Sequence, residues 1–270
     1  YHLNVAISVM SFHEDIYRYL SGTNLPVDRL VDNLGFVRTL REKGVIDYLE
    51  IATVVQEQNF REMPEFAKRC VEEFGADAIR YFLLREITLG LDGNFSRDAL
   101  IQRINADLAN DLGNLLHRTL NMVGKFQKRI ILPAKDLTDL DKSFRAEAID
   151  TAKNYRELME NIQLSDAIKL VWKFIGRANK YIDETMPWKL AKDENQRQEL
   201  SNVLYNLAES LRIVSILISP FMPATTQKIR AQLKVSRELK LDDAEIFGLI
   251  EENHEVGKPE QLFPRILVEK

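Results

Sequence analysis

The sequence predicts a mainly α protein, an antiparallel bundle of four or five helices preceded by a short α/β segment. From Ser96 to Leu233 apolar residues recur at spacings of three and four, the mark of helices that bury one face. Within that stretch the prolines fall only where the pattern stops. With 11 Gly and 8 Pro among 270 residues, the composition leaves room for long uninterrupted helices and argues against collagen-like or turn-rich β architectures.

The elements follow in chain order. Residues 1 to 65 are mixed: Val27 to Leu40 has helical spacing and Val45 to Val55 is rich in β-branched residues, as in an α/β fragment. Phe66 to Leu84 reads as helix, Ile87-Thr-Leu-Gly90 as strand and Asp92-Gly-Asn-Phe95 as turn. Ser96 is the expected N-cap of the first bundle helix, with an apolar stripe of Leu100, Ile104, Leu108, Leu112, Leu115 and Met122, ending before Leu132-Pro133. The second helix follows the Asp136 to Asp141 turn region and carries Phe144, Ala148, Tyr155, Leu158 and Met159. The third begins near Ser165, runs through Ile168, Trp172, Ile175, Ala178 and Ile182, and stops at Met186-Pro187. A fourth, from about Glu194 to Ser219, has the stripe Leu200, Leu204, Leu207, Leu211, Val214 and Leu217. Pro220 and Pro223 then separate it from a short helix over Ala224 to Leu233. The tail from Glu238 to Lys270 has little periodicity and is expected to cross the bundle as an extended strap.

A hydrophobic fraction of 45% supplies a core and excludes disorder as the default state. One cysteine, Cys70, cannot form an internal disulfide, and the four histidines make no zinc spacing with it, so a reducing, cytoplasmic location is expected. The longest apolar stretch, Leu211 to Met222, is broken by Arg212 and Pro220 and is too short for a membrane span. No membrane partner is expected. The start at Tyr1, with neither an initiator methionine nor a signal-peptide pattern, reads as a fragment or a processed chain.

A net charge of -4 makes no case for a general polyanion binder, so any nucleic-acid contact must be local. Two stretches, Arg97 to Lys135 and Ser165 to Lys192, are modestly basic; on charge alone a solvated face is the commoner meaning. There is no glycine-rich phosphate loop, no Gly-x-Ser-x-Gly elbow and no His-Glu-x-x-His pair. His117 carries no expected catalysis. Asn114 and Arg118, four apart on the first bundle helix, project from one side, with Asp107, Asp111 and Lys125 completing a polar face. On the residues alone a solvated face with i,i+4 pairs is the commoner meaning of this pattern; the alternative is an amide and a guanidinium presented to the edge of an unstacked base. Trp188, at the break made by Met186-Pro187 and followed by Lys189 and Lys192, is either a lid on the core or a platform for a single-stranded base. Trp172, on an apolar stripe in mid-helix, belongs to the core.

Four segments taken in order resemble the C-terminal half of methionyl-tRNA synthetases, class I aminoacyl-tRNA ligases. They are Gly75-Ala-Asp-Ala-Ile-Arg-Tyr-Phe-Leu-Leu-Arg-Glu86, Asp92-Gly-Asn-Phe-Ser96, Asn105-Ala-Asp-Leu-Ala-Asn-Asp-Leu-Gly-Asn-Leu-Leu-His-Arg118 and Ala178-Asn-Lys-Tyr-Ile-Asp-Glu-Thr-Met-Pro-Trp-Lys189. Val256-Gly-Lys-Pro-Glu-Gln-Leu-Phe-Pro-Arg265 resembles the family's closing segment, and the resemblance covers about residues 72 to 266. It implies the helical anticodon-binding fold of class I synthetases and these divisions: an unmatched α/β segment at 1–70, a stem-contact-like connector at 71–96, an anticodon-binding bundle at 97–235 and a C-terminal strap at 236–270. It also implies that Asn114, Arg118, Pro187 and Trp188 read the CAU anticodon of methionine tRNA, with Trp188 stacked on the first base and Asn114 and Arg118 on base edges.

The complete family enzyme uses ATP, methionine and magnesium, and its adenylate site needs a His-Ile-Gly-His-like element and a Lys-Met-Ser-Lys-Ser loop. Neither is in this sequence: 20 to 30 residues before Gly75, where the lysine loop would lie, the chain reads Val45-Ile-Asp-Tyr-Leu-Glu-Ile-Ala-Thr-Val-Val55. The family's zinc-binding cysteine knuckles are also missing, so no cofactor is expected on this chain. The expectation is tRNA binding without aminoacylation, the catalytic half being supplied elsewhere, for instance by a separate catalytic polypeptide. The rival expectations are a non-catalytic helical interaction protein that keeps the bundle without RNA recognition, and a sister synthetase for another amino acid.

Overall fold

The computed structural model describes residues 4–8, 48–52, 63–87 and 97–266. The expected helix over Val27 to Leu40 and the turn over Asp92 to Phe95 lie outside these, as does the expected strand after Ile87. The chain divides into two compact units, the larger comprising Arg80–Asp92 and Gln102–Ile266. In the smaller unit β1 (Asn4–Ser8) pairs in parallel with β2 (Tyr48–Ala52), the latter inside the β-branched stretch. Two helices, α1 (Met63–Phe74) and α2 (Ala76–Glu86), replace the single one expected. Gly75 separates them at φ +85°, a left-handed turn that glycine enters without a Cβ clash.

In the bundle, α3 (Arg97–Arg103) continues into a π-helical segment, Ile104–Gly113, and then into α4 (Asn114–Gln127). Leu100, Ile104, Leu108, Leu112 and Leu115 are buried as expected; Met122 is only half-buried and Val123 takes the core position. The helix stops five residues short of Leu132, because Lys128 and Arg129 turn left-handed and feed β3 (Ile130–Ile131). Next comes α5 (Asp139–Glu160), opened by a capping box. Thr138 Oγ1 accepts from the Asp141 amide at 3.1 Å and Asp141 Oδ2 from the Thr138 amide at 2.9 Å, an arrangement worth about 1 kcal/mol. A three-residue turn leads into α6 (Leu164–Thr185), so the two 22-residue helices lie antiparallel. After α7 (Pro187–Leu190) come α8 (Arg197–Leu217) and α9 (Pro223–Leu233).

The fourth long helix is not the amphipathic surface helix its leucines suggest. Every residue of α8 from Leu200 to Leu217 is buried, because α4, α5, α6, α9 and the tail pack around it. Its polar residues are paired inside: Asn202 with both backbone groups of Lys135, and Glu209 with Arg212. The tail crosses the bundle as a strap. It forms a 3₁₀ turn at Leu241–Glu245, adds β4 (His254–Glu255) antiparallel to β3, and inserts Ile250, Val256 and Leu262 into buried positions. Burial of such side chains contributes roughly 1.5–3 kcal/mol each. Among the described residues no helix is long and apolar enough to cross a membrane.

Candidate nucleic-acid interface

Apolar residues at 100, 104, 108 and 112 step by four, and a helix of 3.6 residues per turn would carry each about 40° further round its surface. Over Ile104–Gly113 the helix takes the wider π geometry, and Ile104, Leu108 and Leu112 are buried. It also turns Asp107 inward. Asp107 is buried, its Oδ2 accepting from the Tyr81 hydroxyl at 2.5 Å and lying 3.4 Å from the Arg103 guanidinium, so it does not belong to the polar face expected around Asn114. Asp111 is half-buried, and desolvation together with the Asp107 charge raises its carboxyl above the ordinary range.

Helix α6 clasps the π segment with two side chains seven residues apart. Trp172 Nε1 donates to the Asp107 carbonyl at 3.2 Å, and Asn179 Nδ2 donates to the Asp111 carbonyl at 3.2 Å. Trp172 is buried, as expected of a core residue, with its ring 4.3 Å from that of Tyr81. These donors fix α4 relative to α6.

The clasp leaves Asn114 exposed at the start of α4, its side-chain amide without a protein partner among the described residues. Arg118, one turn on, is half-buried and reaches across to α6, its guanidinium 2.8 Å from Asp183 Oδ1. Asp183 lies in the last turn of α6, three residues before Met186. Proline disfavours a right-handed helical conformation in the residue before it, and α6 ends at Met186, which is left-handed (φ 44°, ψ 60°). Pro187 then opens the single turn α7 at the position where its missing N–H costs nothing, and its ring is buried beside Leu190. Trp188, between these two anchors, is 42% exposed, so it is not a lid closed over the core. Lys189 and Lys192 beside it are exposed and unpaired among the described residues.

The chain thus brings an exposed amide, a guanidinium in a partly solvated ion pair, and an exposed indole to α4 and the end of α6, with two free lysines alongside. Chemically this set can offer donors and an acceptor to base edges, a flat apolar face for stacking, and positive charge to phosphates. Among the described residues no group of three or more His, Cys, Asp or Glu is arranged to hold a metal ion. His117 is exposed on α4.

Residues 141–262 match the family described as the anticodon-binding domain of tRNA ligase, and residues 61–120 match class I tRNA synthetases (M). The bundle is therefore the anticodon-binding fold of a class I aminoacyl-tRNA synthetase. The chain is 51% identical over 203 residues to the methionine–tRNA ligase of Caldanaerobacter subterraneus, covering 75% of this chain and 32% of that protein. It is 45% identical over 203 residues to that of Bacillus subtilis, covering 74% and 30%. The crystal structure of free Mycobacterium tuberculosis methionyl-tRNA synthetase superimposes with a TM-score of 0.70 at 29% identity, over 83% of this chain and 44% of that one. The same enzyme in complex with methionyl-adenylate gives 0.71 at 29% identity, over 82% and 44%. The chain matches the C-terminal part of methionyl-tRNA synthetases and spans about a third of the length of these curated relatives.

Proposed function

We propose that this chain reads the CAU anticodon of methionine tRNA in protein synthesis, through Asn114, Arg118, Pro187 and Trp188. The observation that carries the reading is Trp188, a 42% exposed indole held outward by two buried neighbours, Pro187 and Leu190. A large apolar ring costs free energy in water and is stationed there by the fold, which suits stacking on an unpaired base. Arg118 and Asn114 take base edges on the α4 side, and Lys189 and Lys192 meet the backbone of the anticodon loop. Within this reading residues 71–96 are the stem-contact connector, 97–235 the anticodon-binding bundle and 236–270 the strap. Activation of methionine with ATP and magnesium belongs to a catalytic part outside these residues, in the same protein or on a separate polypeptide.

The test is binding of the chain to an anticodon stem-loop bearing CAU, against the same stem-loop with its first anticodon base changed. The CAU loop should bind more tightly, and Trp188→Ala should remove about 1–3 kcal/mol of that binding, roughly 5- to 150-fold in Kd. Equal binding to both loops by the unaltered chain would sink the reading and leave a bundle that binds something other than an anticodon.

A further inference from the structure

The last turn of α6 carries Asp183 and delivers Trp188, and it is tied by polar contacts to each of the other three long helices. Asp183 reaches α4 through Arg118 at 2.8 Å. Two residues earlier, Tyr181 points the other way, into the core. Its buried hydroxyl donates to Asp141 Oδ1 at the start of α5 and accepts from Asn206 Nδ2 of α8 at 2.9 Å. Asn206 Nδ2 also lies 3.2 Å from Asp141 Oδ1, and Asn206 Oδ1 accepts from Arg145 Nε at 2.8 Å. The other oxygen of Asp141 closes the capping box of α5. The Tyr181 ring is stacked on Phe144 with centroids 4.2 Å apart and planes 6° from parallel, and the Arg177 guanidinium lies 5.9 Å from its centroid. The backbone of the turn is fastened too: Thr185 Oγ1 donates to the Tyr181 carbonyl at 2.7 Å, and the Met186 amide donates to the Ile182 carbonyl at 3.0 Å.

Helix packing alone does not require a carboxylate, a phenol and an amide to be buried together at one end of the bundle, with a half-buried guanidinium against them. Apolar residues of similar volume would pack without the desolvation cost of an aspartate. What a hydrogen-bonded polar cluster adds is directionality. A hydrogen bond fixes one setting of α6 where apolar contact tolerates several. Rotation of that turn by a fraction of a residue would swing Trp188 and Asp183 while leaving the apolar core filled.

We infer that Tyr181, held by Asp141 and Asn206, is a positioning residue for anticodon recognition, setting the last turn of α6 so that Trp188 meets the first anticodon base. The inference rests on the anticodon-reading function proposed above. Tyr181 touches no RNA; it acts through the turn that carries Trp188. Tyr181→Phe keeps the ring, its stacking on Phe144 and its volume, and removes only the hydroxyl.

The experiment measures Kd for the CAU stem-loop and for the first-base variant with four proteins: unaltered, Tyr181→Phe, Trp188→Ala and the double variant. Each is assayed at a temperature where circular dichroism shows it folded. Tyr181→Phe is expected to lower the preference for CAU by about 3- to 10-fold, and to lower it no further in the Trp188→Ala background, because the two act as one unit. A general structural lesion would weaken both loops alike and leave the ratio unmoved, which would overturn the inference. So would a loss of preference that simply multiplies with that of Trp188→Ala. If Trp188→Ala itself leaves the CAU preference intact, the anticodon-reading function falls first and the positioning role falls with it.

Discussion

Ile162 stands where a helix terminus most often has glycine. It follows the C-cap Asn161 of α5 with φ 57°, its amide donates to the Met159 carbonyl at 3.0 Å, and the Gln163 amide donates to the Leu158 carbonyl at 2.8 Å. That pair of bonds is the Schellman arrangement, in which the left-handed residue is normally one without a Cβ. A β-branched side chain there costs of order 1–3 kcal/mol, and this one recovers little by burial because it is 61% exposed. Ile162→Gly should therefore stabilise the chain by about 0.5–1.5 kcal/mol, after allowing for the greater freedom glycine has when unfolded. A urea titration read by circular dichroism would show the midpoint rising; a fall would mean that the exposed isoleucine has a contact worth more than its strain. At this same scale the exposure of the proposed site residues was legible in part: an Asn and an Arg four apart share a helix side, and a tryptophan after a proline break is released from the core stripe, while their proposed role came from the family resemblance. Asp107 was not legible, since its assignment to the polar face assumed an ordinary helix beneath it.

That helix shows why an element is harder to read than its residues. Apolar side chains at three and four announce a helix, but residues 100, 104, 108 and 112 step only by four, and the π geometry that follows decides which polar residues turn inward. The carbonyls of that segment are met from another helix, by Trp172 Nε1 and Asn179 Nδ2, a long-range arrangement invisible to any local pattern. Trp172→Phe retains an aromatic ring against Tyr81 and deletes the donor, leaving the Asp107 carbonyl in a buried site without it. The expected loss is about 1–3 kcal/mol of stability, read from the urea midpoint. An unchanged midpoint would mean that the carbonyl is satisfied without the indole. The start of α5 falls inside the stretch expected as a turn region, Asp136 to Asp141; the signal that could have placed it is local, Thr138 and Asp141, three apart, forming the capping pair.

For the molecule as a whole, the least legible feature is how the aperiodic strap is held, since its fastening lies inside α8. Glu209 and Arg212 are an ion pair with both side chains almost wholly buried, at 2.8 Å. Their remaining capacity is spent on the strap's backbone. Glu209 accepts from the amides of Gly248 at 2.8 Å and Ile250 at 2.5 Å; Arg212 donates to the carbonyls of Asp243 at 2.8 Å and Ile246 at 2.6 Å. Sequence periodicity sees two charges interrupting a leucine stripe, with nothing to say that four backbone groups from residues 243–250 come to meet them. Removing one partner, as in Glu209→Ala, leaves a buried guanidinium unpaired and should cost about 3–5 kcal/mol. For an isolated buried pair, replacing both members by apolar residues is often neutral or stabilising. Here it should not be: Glu209→Met with Arg212→Met removes the charges but strands two amides and two carbonyls of the strap, each costing about 1–3 kcal/mol if left unmade. The double variant should remain well below the unaltered chain in urea, and limited proteolysis should cut it within residues 241–253. Full recovery of stability with an uncut strap would show that its other contacts suffice, among them the β3–β4 pairing, the Tyr205 hydroxyl on the Ile250 carbonyl and the Arg156 ion pairs with Asp242 and Glu245. Loss on both measures would establish the charge pair as the point at which the tail is locked onto the bundle.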